Sequence, residues 1–501
     1  MVQQSIGGGA RRGEQVLRRL RDRPPALWYR GELIKDPTTH PALRGGVHTL
    51  AHLYDLQWER ADTCLYDSPS TGNQVARSFL MPRTREELES VGRAMRVWQH
   101  ATLGMMGRAP DYINRAMTGY AAGAAFLAEA EPRFGSNAVR HYEYLRENDL
   151  CLTHTLVPPQ ANRAVGASNQ ADPFLAARIK EETAAGIVIR GCRMLATLPI
   201  SDEIMVFPST LLKSHEEDAP YAFGFCIPSD TEGLRFICRE SVDYGRSHYD
   251  HPLGSRFEEM DAVVVFDDVH VPWENVFLYR DVKRCNEAYS RTGAVVHMTH
   301  QVVIKNIAKC QFFMGLAALM VSCIGVETFT HIQEKLAEIW VNLETMQACL
   351  RAAEADAQLD EWGVMRPAWN PLDAARNLFP RLYPRMVEII QQIGASGLVA
   401  MPTERDLKGP LVEDIRKYYQ AARAEAFDRI PLFRLAWDAS LSAFASRQVL
   451  YERFFFGDPV RMAGSLVTGH NAEIQTYAEK VRAFVKSNRD EAFAAAPGAV
   501  S

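Results

Sequence analysis

The sequence predicts an α+β protein in which a β-domain lies between two helical domains. Residues 85–106 repeat apolar side chains at three- and four-residue spacing, which indicates a half-buried helix. From about residue 151 to 280, short β-rich runs alternate with Gly, Pro, Asp and Ser, and long amphipathic segments follow. We therefore expect an N-terminal helical domain at 1–150, a central β-domain at 151–280 and a C-terminal helical bundle at 281–501.

Two helices are expected late in the N-terminal domain, and each is placed by a proline. Pro110 suits the first position of a helix, because its fixed backbone angle is helical and no partner is needed for its missing N–H. Asp111 then lies in the first turn, where a carboxylate interacts favourably with the helix dipole. The Ala-rich run at 119–134 predicts a further helix, which Pro132 is expected to end.

The central runs predict short strands. The sequence "AAGIVIRGCRMLATLP" at 184–199 alternates, breaks at Gly191 and resumes, which is typical of a hairpin. The run "DAVVVFDDVHVP" at 261–272 is also rich in β-branched residues. Because these runs are short and closely spaced, they predict a compact antiparallel β-barrel.

The longest uncharged run of the chain lies in the C-terminal domain, at 310–326. It is 17 residues long, whereas a membrane span usually needs about 20 clearly apolar residues. We therefore expect a buried bundle helix there and no membrane association. Residues 322–358 are expected to form either two long helices or one bent helix.

Composition narrows the classes of function. The net charge is −5 over 501 residues. The chain therefore lacks the basic surplus that would indicate a nucleic-acid partner or an anionic membrane surface. The nine cysteines lack the spacing of common zinc and iron–sulfur sites, and we expect no metal. Their irregular positions, with no apolar signal core near the N-terminus, predict a cytoplasmic protein. The glycine-rich segment at 7–13 follows no strand, so no Rossmann site for NADH is expected.

Several short motifs occur in an order that is informative as a set. They are "GRAPDY" (107–112), "LTHTLVPPQANR" (152–163), "MLATLPISDE" (194–203), "DDVHVPWENVF" (267–277), "QQIGASGL" (391–398) and "FGDPVRM" (456–462). Together they resemble the two-component flavin monooxygenases of the 4-hydroxyphenylacetate 3-hydroxylase family. That family has the acyl-CoA dehydrogenase-like fold, and the resemblance extends from about residue 31 to 462.

The resemblance implies a reaction and partners. In the family, a separate NADH:flavin reductase supplies FADH2, and the oxygenase uses it with O2 to form a flavin C4a-hydroperoxide. The distal oxygen then passes to the carbon ortho to a phenol hydroxyl, which gives a catechol. The resemblance implies 4-hydroxyphenylacetate as the first choice of substrate, with phenol or a halophenol next. It also implies a homotetramer assembled through a surface of the C-terminal bundle.

Arg108, Tyr112 and His154 lie where the family places its substrate-binding and catalytic residues. A ring that attacks an electrophilic oxygen develops phenolate character, which cationic and neutral donors stabilise. Arg108 carries a permanent charge, Tyr112 offers a hydroxyl and His154 can take a proton near neutral pH. From exposure statistics alone, an Arg and a Tyr near a helix start are more often surface residues. Two further positions, Ser209 and Thr210, align with residues that meet the carboxylate tail of the substrate.

The resemblance also implies flavin contacts. They are carried by Gln160, Ala161, Asn162 and Arg163, by Thr197, and by the turn Gly457, Asp458, Pro459 and Val460. Thr197 lies where the family has a threonine close to flavin N5, and a hydrogen-bond donor there would steady the oxygenated flavin. Without the resemblance, strand propensity alone would explain Thr197. Ordinary turn chemistry would likewise explain the Gly-Asp-Pro sequence.

Two more distant alternatives share the fold. One is an acyl-CoA dehydrogenase-like flavoprotein, and the other is a hydroxyacyl-CoA dehydratase. The dehydratase needs an iron–sulfur cluster with cysteines close to the segment 104–117. This segment contains Arg108 and Tyr112 but no cysteine, which argues against the dehydratase.

Overall fold

The computed structural model describes residues 8–159, 161–208, 212–213 and 216–494. In the N-terminal part, the elements run in the order α1 (Gly13–Asp22), β1 (Leu27–Tyr29), β2 (Glu32–Leu33), α2 (Arg44–Glu59), α3 (Ala61–Cys64), β3 (Leu65–Asp67), β4 (Gln74–Ala76), α4 (Arg85–Ala101), α5 (Pro110–Ala122), α6 (Ala124–Ala128) and α7 (Pro132–Asn148). The predicted helix at 85–106 is confirmed for residues 85–101 as α4, which begins after Thr84 and ends five residues earlier than predicted. The Thr84 hydroxyl accepts from the Glu87 N–H at 3.2 Å and caps the helix.

The helix start at Pro110 is confirmed, because Pro110 is the first residue of α5. Asp111 lies in the first turn but is buried, and burial raises the pKa of its carboxyl to about 7. The helix predicted at 119–134 is present only in part, as the end of α5 and the short helix α6, and the prediction that Pro132 ends it is wrong. α5 ends at Ala122, and Pro132 begins α7 instead of ending a helix. A proline at the first helical position gives up no hydrogen bond, so both outcomes are compatible with the same residue.

The central elements are β5 (Leu152–Thr155), β6 (Arg178–Glu182), β7 (Gly186–Thr197), β8 (Glu203–Val206), β9 (Phe223–Pro228), β10 (Leu234–Cys238), α8 (Gly254–Phe257), β11 (Asp261–Pro272) and β12 (Val276–Tyr279). They form two sheets, in the orders β2-β1-β10-β11-β7-β6 and β12-β9-β8-β5. The predicted antiparallel barrel is therefore not confirmed, since the described strands form no closed barrel. The pairs β1–β10 and β5–β8 are also parallel.

The predicted hairpin at 184–199 is wrong as well. Residues Gly186–Thr197 form the single strand β7, which pairs with β11 along most of its length. Gly191 lies inside this strand with φ +117°, a conformation that side-chain-bearing residues rarely adopt. The glycine therefore marks an irregular place within a strand, where the carbonyl of Ala176 approaches closely, and not a turn.

The C-terminal elements are α9 (Val282–Arg291), α10 (Ala294–Ile324), α11 (Thr330–Ala355), β13 (Gln358–Leu359), β14 (Met365–Arg366), α12 (Trp369–Gly394), α13 (Ser396–Val399), α14 (Val412–Tyr418), α15 (Ala426–Ser440), α16 (Ala443–Arg453), α17 (Pro459–Gly469) and α18 (Asn471–Ala494). Of the two options for 322–358, the structure has two helices. α10 ends at Ile324, and Gly325 caps it with a φ of 70°, in the left-handed region that favours glycine.

α10 is long and apolar enough to cross a membrane by length and composition. It packs against α4, α5, α11 and α12, and most of its residues are buried. It also carries the buried lysines Lys305 and Lys309. These observations support the interpretation of this segment as a core helix. A single hydrophobic core runs from Val16 to Phe455, so the three-domain division stays a prediction.

Candidate active site

Arg108 joins three separate parts of the fold just before α5. Its backbone N–H donates to Glu259 Oε1 at 2.9 Å, on the segment that leads into β11. Its Nη2 donates to the carbonyl of Phe455 at 2.9 Å, just after α16, and its Nη1 lies 3.4 Å from His154 Nε2 on β5. The guanidinium is therefore held from several sides.

Two aromatic rings cover the Arg108 guanidinium. Its central carbon lies 4.4 Å from the ring centroid of Tyr112 and 3.9 Å from that of Phe455. Both separations are within the range of cation–π attraction. Tyr112 reaches this position because Pro110 starts α5 and places Tyr112 in its first turn. The structure thus brings together Arg108, Tyr112 and His154, as the sequence predicts.

His154 is a neutral donor in this arrangement. Burial, together with the Arg108 cation, lowers the pKa of the imidazole well below its usual value. Because a guanidinium only donates, His154 Nε2 is the acceptor and the ring proton sits on Nδ1. Nδ1 is buried and has no hydrogen-bond partner among the described residues. His154 is therefore suited to donate from Nδ1, and it is a weaker base than its residue type suggests.

Further rings extend the aromatic cluster away from Arg108. The His154 ring lies 5.6 Å from Phe207, and Phe207 lies 4.9 Å from Tyr289 and 5.9 Å from Tyr120. The hydroxyl of Tyr120 is buried without a partner in the described part of the chain. We call Tyr112, His154, Phe207, Tyr289, Tyr120 and Phe455 the aromatic box. Rings at these centroid separations are in direct contact with one another, so the aromatic box forms a continuous buried aromatic wall beside Arg108.

Thr197 lies at the end of β7, opposite Asp261 on β11. Its hydroxyl donates to Asp261 Oδ1 at 2.9 Å. Although burial raises the pKa of Asp261, the Arg447 and Arg239 guanidiniums outweigh burial and keep the carboxyl ionised. Since an ionised carboxylate only accepts, the Thr197 hydrogen is committed to Asp261. The hydroxyl can therefore serve another ligand as an acceptor, whereas the sequence suggests a donor.

Two strained residues connect Thr197 to Arg108. Leu198 has φ 61° and Met260 has φ 54°, both in the left-handed region that is uncommon for such side chains. The Leu198 N–H donates to the carbonyl of Glu259 at 3.0 Å. The Glu259 carboxylate then accepts from the Arg108 backbone and from Arg447 Nη1 at 2.9 Å. Backbone strain of this kind persists where surrounding contacts impose it, often at functional sites.

The remaining predicted residues are spread around this centre. Ala161, Asn162 and Arg163 lie in an exposed loop after β5. Gly457 has φ 93°, and the Asp458 carboxylate caps α17 by accepting from the Val460 N–H at 2.7 Å, while Pro459 is the first residue of that helix. This turn follows Phe455 closely in the chain. Gln160, Ser209 and Thr210 lie outside the described residues.

Sequence reasoning missed several residues of this site. Two of them, Phe455 and Tyr451, cover Arg108, and the ring centroid of Tyr451 lies 5.8 Å from the central carbon of the guanidinium. The run of aromatic residues before "GDPV" was a sequence signal that could have indicated them. Glu259 has no such signal, because an acidic pair ahead of a strand is typical of a surface turn. Phe207 and Tyr289 read simply as core residues.

One group of potential metal ligands is present in the described structure. Ligand atoms of His141, Glu203 and Cys226 all lie within 4.8 Å of one another. Glu203 Oε2 is 2.7 Å from His141 Nε2 and accepts from Cys226 Sγ at 3.2 Å. These hydrogen bonds tie α7 to the four-stranded sheet. The expectation that the protein uses no metal stays a prediction.

Comparison with known families decides the relationship. A family model for "4-hydroxyphenylacetate 3-hydroxylase N terminal" matches residues 12–278, and one for "4-hydroxyphenylacetate 3-hydroxylase C terminal" matches residues 285–486. The chain belongs to the 4-hydroxyphenylacetate 3-hydroxylase family. The resemblance inferred from the short motifs is thereby confirmed.

Relatives in the 4-hydroxyphenylacetate 3-hydroxylase family are similar along nearly the whole chain. The 4-hydroxyphenylacetate 3-monooxygenase oxygenase component of Thermus thermophilus is 50% identical over 96% of this chain and 98% of its own length. The oxygenase component of the same name from Geobacillus is 46% identical over 95% of this chain and 97% of its own length.

Solved structures give the same result for the fold. The oxygenase component (HpaB) of 4-hydroxyphenylacetate 3-monooxygenase, complexed with FAD and 4-hydroxyphenylacetate, has a TM-score of 0.92 at 49% identity and covers 96% of this chain and 99% of its own. A 4-hydroxybutyryl-CoA dehydratase from N. maritimus has a TM-score of 0.84 at 20% identity and covers 95% of both chains, a likeness of fold alone. The predicted acyl-CoA dehydrogenase-like fold is confirmed.

The polar atoms of the site fit a flavin of this family. Arg108 Nε, His154 Nδ1 and the Tyr451 hydroxyl are buried without partners in the described structure. Such atoms are costly unless a ligand or water pairs with them. The free lone pairs of Thr197 Oγ1 add an acceptor. The site therefore offers both kinds of polar group that a flavin ring edge and a phenol need.

Proposed function

We propose that this chain is the oxygenase component of a 4-hydroxyphenylacetate 3-monooxygenase. It hydroxylates the carbon ortho to the phenol hydroxyl with O2 and FADH2, and the product is a catechol. The observation that carries this proposal is the convergence of Arg108, Tyr112 and His154 on one aromatic box. The relatives from Thermus thermophilus and Geobacillus bear the same functional name, which supports the choice of substrate.

Arg108 and His154 act on the phenol oxygen of the substrate. A permanent cation and the Nδ1–H of a neutral imidazole both stabilise negative charge on that oxygen. The phenolate form is the more electron-rich ring, and electron density at the ortho carbon favours attack on an electrophilic oxygen. Tyr112 adds a hydroxyl on the same side and holds the guanidinium in place through its ring. When bound, FADH2 together with O2 supplies the oxygen atom that is transferred.

The aromatic box excludes water from the reacting atoms. Phe207, Tyr289 and Phe455 offer rings and little competing polarity near Arg108 and His154. A dry pocket strengthens each hydrogen bond to the substrate, because the local dielectric is low. It also protects a reactive oxygen donor from hydrolysis and wasteful peroxide release.

FAD is expected to bind at the residues that the family resemblance assigns. These are Gln160, Ala161, Asn162 and Arg163 after β5, Thr197 at the end of β7, and Gly457, Asp458, Pro459 and Val460 before and at the start of α17. Reduced flavin carries a hydrogen on N5, and the Thr197 hydroxyl is available as an acceptor for it. Ser209 and Thr210 are expected to contact the carboxylate tail of the substrate. A phenol or halophenol that lacks this tail is the alternative substrate.

A direct assay tests the proposed function. With chemically reduced FAD and ¹⁸O2, the purified chain is expected to convert 4-hydroxyphenylacetate into a catechol that contains one labelled oxygen. A mass-spectrometric panel with phenol and 4-chlorophenol ranks the alternatives. Tightly bound FAD that an acyl-CoA reduces, with no catechol formed, would show that the chain is a dehydrogenase instead.

The partners follow from the two-component chemistry. FADH2 comes from an NADH:flavin reductase and reaches this chain by diffusion, and both proteins act in the cytoplasm. The chain forms a homotetramer through its C-terminal bundle. In support, α18 exposes an apolar stripe at Ile474, Tyr477, Val481, Phe484 and Val485, and a stripe of this kind indicates a partner surface.

Phe484→Glu is expected to weaken the homotetramer, because it places a charge within the apolar stripe. Sedimentation velocity is expected to show a shift from tetramer to smaller species at micromolar concentration. Ala483→Glu is the matched control, since it adds the same charge on the opposite, exposed face of α18. Equal masses for wild type and both variants would place the assembly surface elsewhere.

A further inference from the structure

Arg447 on α16 places all three nitrogens of its guanidinium on two carboxylates of the segment that leads into β11. Its Nε and Nη2 donate to Asp261 Oδ2 and Oδ1 at 3.0 and 2.7 Å, and its Nη1 donates to Glu259 Oε2 at 2.9 Å. Met260, which lies between the two acidic residues, has the strained φ of 54°. A forked contact of this kind fixes the direction of a carboxylate as well as its charge.

Each of the two carboxylates also holds one residue of the proposed reaction. Glu259 Oε1 accepts from the backbone N–H of Arg108 at 2.9 Å, on the side assigned to the phenol. Asp261 Oδ1 accepts from the hydroxyl of Thr197 at 2.9 Å, on the side assigned to the flavin. Arg447 is therefore separated from each side of the site by one hydrogen-bonded carboxylate.

Tyr451 gives Arg447 a second connection to Arg108. The central carbon of Arg447 lies 4.2 Å from the ring centroid of Tyr451, one turn further along α16. The same ring lies 5.8 Å from the central carbon of Arg108. A Cβ atom on Gly107 would lie 2.8 Å from the Tyr451 hydroxyl oxygen, so Tyr451 packs against the backbone directly before Arg108. A displaced Arg447 would therefore disturb Arg108 through the acidic pair and through this ring.

Arg239 is a second cation on the same carboxylate and provides a comparison. Its Nε donates to Asp261 Oδ2 at 2.8 Å, and its Nη2 donates to Glu258 Oε1 at 2.6 Å. Within the described residues it makes no hydrogen bond to Glu259. Arg239 therefore neutralises the same carboxylate as Arg447 without contacting the residue that holds the phenol side.

We propose that Arg447 is a positioning residue that fixes Arg108 and Thr197 relative to each other and thereby sets the share of FADH2 oxidation that yields catechol. The proposal rests on the proposed function and deepens it. The phenol and the flavin are held by different segments of the chain, and oxygen transfer requires their reacting atoms to be aligned. Arg447 binds both segments from a third one, α16.

The two possible outcomes of a turnover make this share measurable. In a coupled turnover, FADH2, O2 and the phenol give FAD, the catechol and water, so one oxygen atom enters the ring and the other leaves as water. In an uncoupled turnover, FADH2 and O2 give FAD and hydrogen peroxide. Misalignment slows only the transfer to the ring, so it raises the share of peroxide.

Arg447→Met is expected to lower the catechol-to-peroxide ratio with 4-hydroxyphenylacetate by up to about 100-fold, the usual cost of misplacing reacting groups by about 1 Å. Arg447→Lys keeps the charge but cannot bind both carboxylates in the fixed geometry of a guanidinium, so it is expected to recover only part of the ratio. Arg239→Met is the matched control, and its ratio is expected to stay within about threefold of wild type.

Amide hydrogen exchange of the flavin-free protein gives a readout that does not depend on activity. Mass spectrometry of peptides that contain residue 108 is expected to show about 10-fold faster exchange in Arg447→Met, because Glu259 is no longer held against the Arg108 N–H. Arg239→Met is expected to leave this exchange unchanged. Glu259→Gln is expected to raise the exchange and to lower the ratio, and it serves as the test if Arg447→Met does not fold.

The possible results separate positioning from charge alone and from the proposed function. Equal ratios in Arg447→Met and Arg239→Met, or full recovery in Arg447→Lys, would overturn the proposal, because neutralising Asp261 would then suffice. Unchanged exchange at residue 108 in both Arg447→Met and Glu259→Gln would overturn it as well. A wild type that forms no catechol from any phenol would instead refute the proposed function.

Discussion

Arg108→Met is expected to lower the rate of catechol formation about 100- to 1,000-fold, the usual cost of removing one donor from a developing anion. The guanidinium is the cationic group of the predicted triad, and it also orients His154 by donating to Nε2. Its loss removes a charge from the phenol oxygen and frees the imidazole to rotate. Both effects destabilise the phenolate form of the substrate, which is the form that makes the ring reactive.

The same substitution is expected to change the product balance. Arg108 acts on the phenol, so the chain is expected to continue consuming FADH2 and O2 while releasing hydrogen peroxide in place of catechol. The ratio of catechol to peroxide, measured in one reaction, is therefore the informative quantity. Arg108→Lys is expected to recover only part of the ratio, because an ammonium cannot reach His154 and the Phe455 carbonyl together.

Two controls make the Arg108 result specific. Arg93→Lys, at an exposed position on α4, is expected to leave the ratio unchanged. Thermal unfolding of each variant checks that the fold survives. A catechol-to-peroxide ratio in Arg108→Met within a factor of three of wild type would mean that the phenol binds elsewhere.

The local parts of this site were predictable from sequence, whereas the contacts between distant segments were not. Pro110 fixes the start of α5, and thereby the place of Tyr112, through a rule that acts within one turn. The hydrogen bond from Arg108 to the Phe455 carbonyl joins residues 347 positions apart. No periodicity or capping pattern contains such a contact. Family resemblance supplied the grouping of Arg108, Tyr112 and His154, and the structure then added the donor role of His154.

The errors in the fold prediction have a common physical origin. Pro132 and Gly191 were both taken as breaks, yet each residue is also compatible with the inside or the start of an element. The strands were located correctly in outline, but their pairing is non-local. For example, β1 pairs with β10, and Leu27 lies opposite Phe236. Strand order is decided by packing across the whole chain, so a compact barrel and two separate sheets have similar local patterns.

Glu452→Gln is expected to lower the free energy of unfolding by about 3–5 kcal/mol, the usual cost of removing one partner from a buried ion pair. Glu452 on α16 accepts from Lys305 Nζ at 2.7 and 2.5 Å, and it also accepts from Lys309. All three side chains are buried. The amide would leave two ammonium groups of α10 without a counter-charge.

The pH dependence of this loss has a definite sign. Burial lowers the pKa of Lys305 to about 7, against the opposing effect of Glu452. Because the unfolded lysine titrates near 10.4, the unfolded state binds more protons above pH 7, and stability rises with pH in that range. Removing Glu452 lowers the folded pKa of Lys305 further, so the two folded proteins differ in the charge of Lys305 around pH 7 but not well above it. The deficit of Glu452→Gln is therefore expected to shrink as the pH rises through 7, where folded wild type loses the Lys305 proton.

Denaturant unfolding at pH 7 and pH 9.5, followed by circular dichroism, measures both quantities. Glu413→Gln is the matched control, since Glu413 is exposed and its ion pair with Arg416 on the surface of α14 contributes little.

α16 also carries Tyr451 and leads to Phe455, which cover Arg108. Loss of Glu452 is therefore expected to loosen the aromatic box and lower the catechol-to-peroxide ratio as well as stability. A variant as stable as wild type at pH 7 would show that the two lysines are buried uncharged in the native protein.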